Sequence, residues 1–97
     1  VIRSFKNPGT DDIFYGRDTK HARKTCPQDL WKVAGRKLEQ LDSAIRIDDL
    51  KAPPGNRLEA LSGNRSGQYS VRINNQYRIC FEWTPEGPAA VKIVDYH

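Results

Sequence analysis

Two runs of strict apolar–polar alternation, separated by three polar residues, constrain this chain more than any other feature. Val71 and Ile73 alternate with Ser70 and Arg72, while Tyr77, Ile79, Phe81 and Trp83 alternate with Arg78, Cys80 and Glu82. Period two is the pattern of a half-buried antiparallel sheet, in which successive side chains point to opposite faces. A slip of one residue would turn one run's apolar set to water, so odd positions must pair with odd. The simplest register sets Ile73 against Tyr77 and Val71 against Ile79, with Asn74, Asn75 and Gln76 as the loop. Arg72 then lies directly across from Arg78 on the other face.

Like charges opposed in this way destabilise a sheet by up to about 1 kcal/mol. Glu82 or Glu59 can neutralise the pair, or the long side chains can splay apart. The reading favoured here is an anion site, because two forked guanidiniums suit a phosphate and the charge that develops on a pentacoordinate transition state. Arg65, on the Gly63–Gly67 connection, can approach from the side or simply be solvated. Tyr69 and Tyr77 are candidates for stacking on bases. For Tyr77, on the apolar face, packing is the better role, and Tyr69 stays undecided.

The rest of the chain supplies a helical half. Ile2 and Phe5 suggest a short opening strand, closed by a turn at Asn7-Pro8-Gly9. Thr10 is placed to cap a brief helix, with Asp11 and Asp12 in its first turn, Ile13 and Phe14 as anchors and Gly16 past its end. Residues Arg17 to Lys24 are basic without apolar periodicity, either loop or a solvent-facing helical turn. Pro27 opens the clearest helix, in which Leu30, Ala34, Leu38, Leu41 and Ile45 form one stripe at spacings of four, four, three and four. After Pro53-Pro54-Gly55, Leu58 to Leu61 reads as a strand. Pro85 to Pro88 makes a turn, and Val91 to Val94 a last strand before Asp95-Tyr96-His97. Helices followed by a run of strands make an α+β domain, one unit spanning 1–97.

Composition narrows the classes. Ninety-seven residues allow one core, and a chain of that size buries roughly 65% of its extended surface without needing a metal or staples. A net charge of +4 and a pI of about 9.3 favour a polyanionic partner. Cys26 and Cys80 supply neither a disulfide framework nor, with the two histidines, a zinc pattern. No apolar run approaches the roughly 20 residues of a membrane span, and the start lacks a secretory signal, so a cytoplasmic location is expected. Among the titratable groups, a histidine at position 97 can take or give a proton in cleavage through a 2′-hydroxyl.

The stretch from Pro53-Pro54-Gly55-Asn56-Arg57-Leu58 to Gln76-Tyr77-Arg78-Ile79-Cys80-Phe81-Glu82-Trp83 resembles the HigB toxins, within the RelE/ParE superfamily. Ile2-Arg3-Ser4-Phe5-Lys6 and Asp95-Tyr96-His97 are similar to that family's two ends. The resemblance implies a RelE/ParE-like fold: two amino-terminal helices packed on a curved, mostly antiparallel sheet of four to five strands. It implies a toxin of a type II toxin–antitoxin system that cuts mRNA in the decoding site of the 70S ribosome by 2′-hydroxyl attack, with no metal or other cofactor. It also implies a HigA-like helix-turn-helix antitoxin as partner, through which operator DNA is engaged only indirectly.

By the same resemblance, Arg78, Asp95, Tyr96 and His97 are the catalytic set, with His97 as general acid or base, Asp95 orienting a neighbour and Tyr96 positioning a base. Arg72, Arg65, Tyr69, Lys20 and Arg23 are expected to bind RNA or phosphate. Some relatives carry lysine where this chain has Ser62, a departure that Arg65 or the segment around Lys20, His21 and Arg23 would have to offset. Two other readings compete: a ParE-like gyrase poison, which needs no proton-transfer group, and a non-catalytic basic module that binds RNA or the ribosome.

Overall fold

The alternating runs form the centre of a four-stranded antiparallel sheet in chain order: β1 (Glu59–Ala60), β2 (Gln68–Arg72), β3 (Tyr77–Thr84) and β4 (Gly87–Asp95). The structure, a computed structural model, describes residues 1–63 and 67–95. The register is the one that parity demands, with Val71 opposite Ile79 and Arg72 opposite Arg78. The loop is closed by Asn74, whose side-chain oxygen accepts from the N–H groups of Gln76 (2.9 Å) and Tyr77 (2.7 Å). Asparagine commonly closes turns in this way.

Between β3 and β4 the register shifts at Cys80/Glu82, and Ala90 takes a φ of +50°. Such a bulge bends the strand and strengthens its twist. Along the outer edge of β4 the amino-terminal segment runs parallel. Arg3 and Lys6 each donate a backbone N–H, to Pro88 O and Val91 O, both at 2.8 Å. The opening strand expected from Ile2 and Phe5 is thus a single bridge, Phe5 to Val91, that extends the sheet in a parallel sense.

Three α-helices, one more than expected, precede the sheet: α1 (Pro8–Phe14), α2 (Lys20–Thr25) and α3 (Trp31–Ser43). Asn7, and not Thr10, caps α1, accepting the Thr10 N–H at 2.9 Å with Pro8 in the first turn. Asparagine followed by proline serves a helix start as well as a turn. Thr10 is instead fully buried, and its hydroxyl oxygen accepts the Ile93 N–H at 3.0 Å, tying α1 to β4. The basic stretch resolves into α2, capped by Thr19.

In α3 the stripe holds for Ala34, Leu38 and Leu41, all 0% exposed, but Ile45 is 87% exposed. The helix stops at Ser43 because Asp49 draws the chain away, accepting the N–H groups of Ile45 (2.9 Å) and Arg46 (3.0 Å). Ala44 turns into the core in its place.

The core lies between the helices and the odd-numbered face of β2 and β3: Leu38, Leu41 and Ala22 meet Val71, Ile79, Phe81, Val91 and Ile93. A contact between α1 and α2 depends on Gly9. A β-carbon there would run into the Thr25 hydroxyl and lie 2.6 Å from the His21 carbonyl. Gly9→Ala is therefore expected to destabilise the fold by about 1–3 kcal/mol, read as a lower denaturation midpoint with an unchanged slope.

Candidate active site on the open sheet face

The other face of the sheet carries Gln68, Ser70 and Arg72 on β2 and Arg78, Cys80 and Glu82 on β3. Arg78 is only 8% exposed although it points away from the helices. Its Nε donates to Ser70 Oγ at 2.8 Å, and Nη2 donates to the Arg57 carbonyl at 2.6 Å and the Ser70 carbonyl at 3.3 Å. Glu59 Oε1 stands 3.8 Å away and is itself half-exposed. These hydrogen bonds fix the direction of the guanidinium, with the Glu59 carboxylate as a longer ion-pair partner, so the site presents an oriented cation.

The carbonyl that meets Arg78 is aimed by an unusual backbone. Pro54–Asn56 form a single 3₁₀ turn, after which Arg57 adopts the left-handed conformation at φ 45°, ψ 56°. This region costs a non-glycine residue energy and persists where surrounding contacts enforce it. Asn56, fully buried, supplies those contacts.

Arg72 and Arg78 are opposed but do not converge into a clamp. Arg78 turns toward Ser70 and Arg57, whereas Arg72 turns outward and bonds Asn75 Oδ1 in the hairpin loop. Splaying and the approach of Glu59 relieve the repulsion that the register creates. Asp95 pairs with Tyr77 at the end of β4 and accepts from Gln76 Nε2 at 3.1 Å. The start of the carboxy-terminal tripeptide is thereby held at the same end of the sheet as Arg72 and Arg78, but its pairing puts the Asp95 side chain on the face of Tyr77 and not on that of Arg78. Arg65, Tyr96 and His97 lie outside the described residues.

Four candidate RNA contacts, Tyr69, Tyr77, Lys20 and Arg23, are placed away from Arg78. Tyr69 occupies an odd position, so its ring stacks on Phe81 (6.1 Å between centroids, 24° between planes) on the helical side and serves packing. Tyr77 likewise packs on the core, and burial, with Asp95 and Cys26 nearby, pushes its phenol pKa up. Lys20 and Arg23 sit on exposed α2 in the helical layer, across the sheet from Arg78. Arg23 is further engaged with Asp18 at 2.6 Å.

The structure adds two cations that sequence reading passed over. A cavity of about 400 Å³ on the open face is lined by Lys6, Gln68, Cys80, Glu82, Ala90 and Lys92. Cys80 follows Arg78 on that face, roughly 7 Å along the strand. Lys92 stands between core residues Val91 and Ile93, an alternation that already puts it on the open face. For Lys6 the corresponding signal is its place beside Phe5. Cys26, on the helical side, is held neutral, since burial and Asp29 push its thiol up to about 11. Among the described residues no group of three or more histidine, cysteine or acidic side chains is gathered to hold a metal.

The comparisons with known proteins agree with this geometry. The profile of the HigB-like toxins, described as RelE-like toxins of type II toxin–antitoxin systems, matches residues 3–97. Toxin HigB-1 of Vibrio cholerae is 43% identical over 84 residues, covering 87% of this chain and 85% of the relative. Endoribonuclease HigB of Proteus vulgaris is 29% identical over 98 residues and covers both chains fully. In fold, the chain resembles YoeB from Staphylococcus aureus in its complex with YefM, with a TM-score of 0.61 at 16% identity over 100% of this chain and 98% of the other. The staphylococcal YoeB dimer gives 0.59 at 17% identity, over 99% and 97%. Family profile, sequence relatives and sheet architecture converge, and this chain belongs to the HigB-like family of RelE-like toxins from type II toxin–antitoxin systems.

Proposed function

We propose that this toxin is an endoribonuclease that cuts mRNA on the ribosome, and that a HigA-like helix-turn-helix antitoxin neutralises it. The observation that carries the reading is Arg78: a buried, oriented cation on an open sheet face, at the end where the chain continues from Asp95 into Tyr96 and His97. The Proteus relative bears the name endoribonuclease, and the staphylococcal neighbour was solved with a bound partner protein. The ribosome would hold the mRNA in its decoding site, bent and immobilised, against this face, and cytoplasmic action follows from that partner. No helix among the described residues is long and apolar enough to cross a membrane.

In this reading the 2′-oxygen of the nucleotide attacks the adjacent phosphorus. The P–O5′ bond breaks, and a 2′,3′-cyclic phosphate and a 5′-hydroxyl result. Arg78 offsets the negative charge that builds on the non-bridging oxygens. His97 exchanges a proton with the reacting oxygens, and Asp95 orients its neighbours in the tripeptide. Lys6, Lys92 and Arg72 contribute positive potential along the RNA path.

Primer-extension mapping of a reporter mRNA with purified toxin, in chelator, with and without programmed ribosomes, tests the proposal. Cuts are expected only with ribosomes and in register with codons. Cuts on naked RNA would make the protein a free ribonuclease. No cuts in either arm would direct attention to gyrase or to plain ribosome binding.

A further inference from the structure

Asn56 joins parts of the chain that no local rule brings together. Its Nδ2 donates to Gln40 Oε1 on α3 (3.0 Å), to the Leu50 carbonyl (3.1 Å) and to the Ala52 carbonyl (3.2 Å). Its Oδ1 accepts from the Lys37 ammonium, also on α3. The orientation of the amide is fixed by chemistry: flipped, the carbonyl oxygen would face three oxygens and the NH₂ group would face a cation. Fully buried and fully bonded, the side chain clamps the Pro54–Asn56 turn against α3. The next residue is Arg57, whose carbonyl is the 2.6 Å acceptor of Arg78 Nη2, and two residues on is Glu59, the carboxylate 3.8 Å from the same nitrogen.

We infer that Asn56 is a positioning residue for Arg78: by locking the turn to Lys37 and Gln40, it aims the Arg57 carbonyl and so sets the plane of the guanidinium. The inference rests on the reading of Arg78 as the cation that meets the scissile phosphate. Ser70 holds the guanidinium from β2 through Nε and, at 3.3 Å, through Nη2, and the segment after Asn56 holds it through the shorter 2.6 Å bond to Nη2. Without Asn56 the two bonds to Ser70 survive, through Nε and more weakly through Nη2, while the short Nη2 bond to the Arg57 carbonyl is loosened, leaving a cation that is present but mis-aimed.

The test uses ¹⁵N-detected NMR of the arginine side chains together with single-turnover cleavage on programmed ribosomes. In the wild-type protein at low temperature, the Arg78 Nη2 protons are expected as separate, slowly exchanging signals, because carbonyl bonds stop rotation about Cζ–Nη2. In Asn56→Ala those signals should shift and exchange faster as the Arg57 carbonyl is lost, while the Nε–H signal stays dispersed. Maximal cleavage rate should fall about tenfold to a hundredfold with the half-saturating ribosome concentration unchanged. Gly9→Ala, remote from this network, is the control for lost stability and should change neither reading at a temperature where it is folded. If Asn56→Ala does not fold, Gln40→Ala removes one partner of the carboxamide and should show the same two changes in smaller measure.

Unchanged Nη2 signals in the folded variant would overturn the inference, as would a rise in half-saturation with the maximal rate intact. Loosened Nη2 signals with full cleavage would confirm the positioning and instead overturn the role given to Arg78.

Discussion

Arg78→Ala is expected to lower ribosome-dependent cleavage about 10²- to 10³-fold while association with the ribosome changes little. That size is typical for removal of one preorganised group that meets developing charge in a transition state. The geometry explains why so much should depend on one side chain. The guanidinium is desolvated, and its Nε and Nη2 are fixed by Ser70 and the Arg57 carbonyl before any RNA arrives. No reorganisation is then needed as the phosphate acquires charge.

The same burial makes the substitution felt in the fold, since the Ser70 hydroxyl and the Arg57 carbonyl lose a donor at a cost of about 1–3 kcal/mol. Cleavage must therefore be compared at a temperature where circular dichroism shows the variant folded. Arg78→Lys keeps charge but loses the planar fork, and should recover only a small part of the rate. Loss of ribosome co-sedimentation in parallel with cleavage would make Arg78 a binding residue. Unimpaired cleavage in the folded alanine variant would remove it from the chemistry.

The second large effect is expected at the chain's end. Deleting His97, or replacing it with glutamine, should reduce the single-turnover rate by about 10²- to 10⁴-fold, the usual contribution of a positioned general acid or base. Affinity for the ribosome should stay within a few-fold, because one terminal imidazole adds little to a binding surface of many cations. The pH–rate profile supplies the sharper reading. The limb near neutrality that an imidazole produces should vanish in the deletion, leaving a flat low rate. If deletion leaves both rate and profile intact, proton transfer belongs to a group other than His97.

These two substitutions probe two parts of one transition state. In the proposed mechanism Arg78 would act on charge at phosphorus and His97 on protons at the attacking or leaving oxygen. The double variant should accordingly be little slower than the worse single variant, if the groups act as one unit.

How much of this was legible from the residues depends on the range of the forces involved. The register of the central hairpin follows from a local rule, that side chains alternate every residue, combined with the need to bury Val71, Ile79 and Phe81 together. The Arg72–Arg78 opposition and the open-face position of Arg78 follow from the same parity. The α3 stripe through Ala34, Leu38 and Leu41 is equally local, as is the long stretch from Pro53 to Trp83 by which the family resemblance was identified.

Where local rules compete, neighbours far along the chain decide. Asn7 and Thr10 are both good caps, and Ile93 settles the matter by claiming the Thr10 hydroxyl. Ile45 continues the helical stripe on paper, yet Asp49 ends the helix before it.

The site divides along the same line. Sequence by itself determined which face Arg78 occupies, which arginine opposes it and which face takes Tyr77. Parity also gives Tyr69 its face, and only the tertiary structure decided that Arg78 is buried while Arg72 turns outward. It also placed Lys6 and Lys92 at one cavity and Lys20 and Arg23 across the sheet. The physical reason is that parity fixes only the direction of a side chain. What it meets there depends on which distant segment crosses over it, and here that segment is the turn that Asn56 fastens to α3.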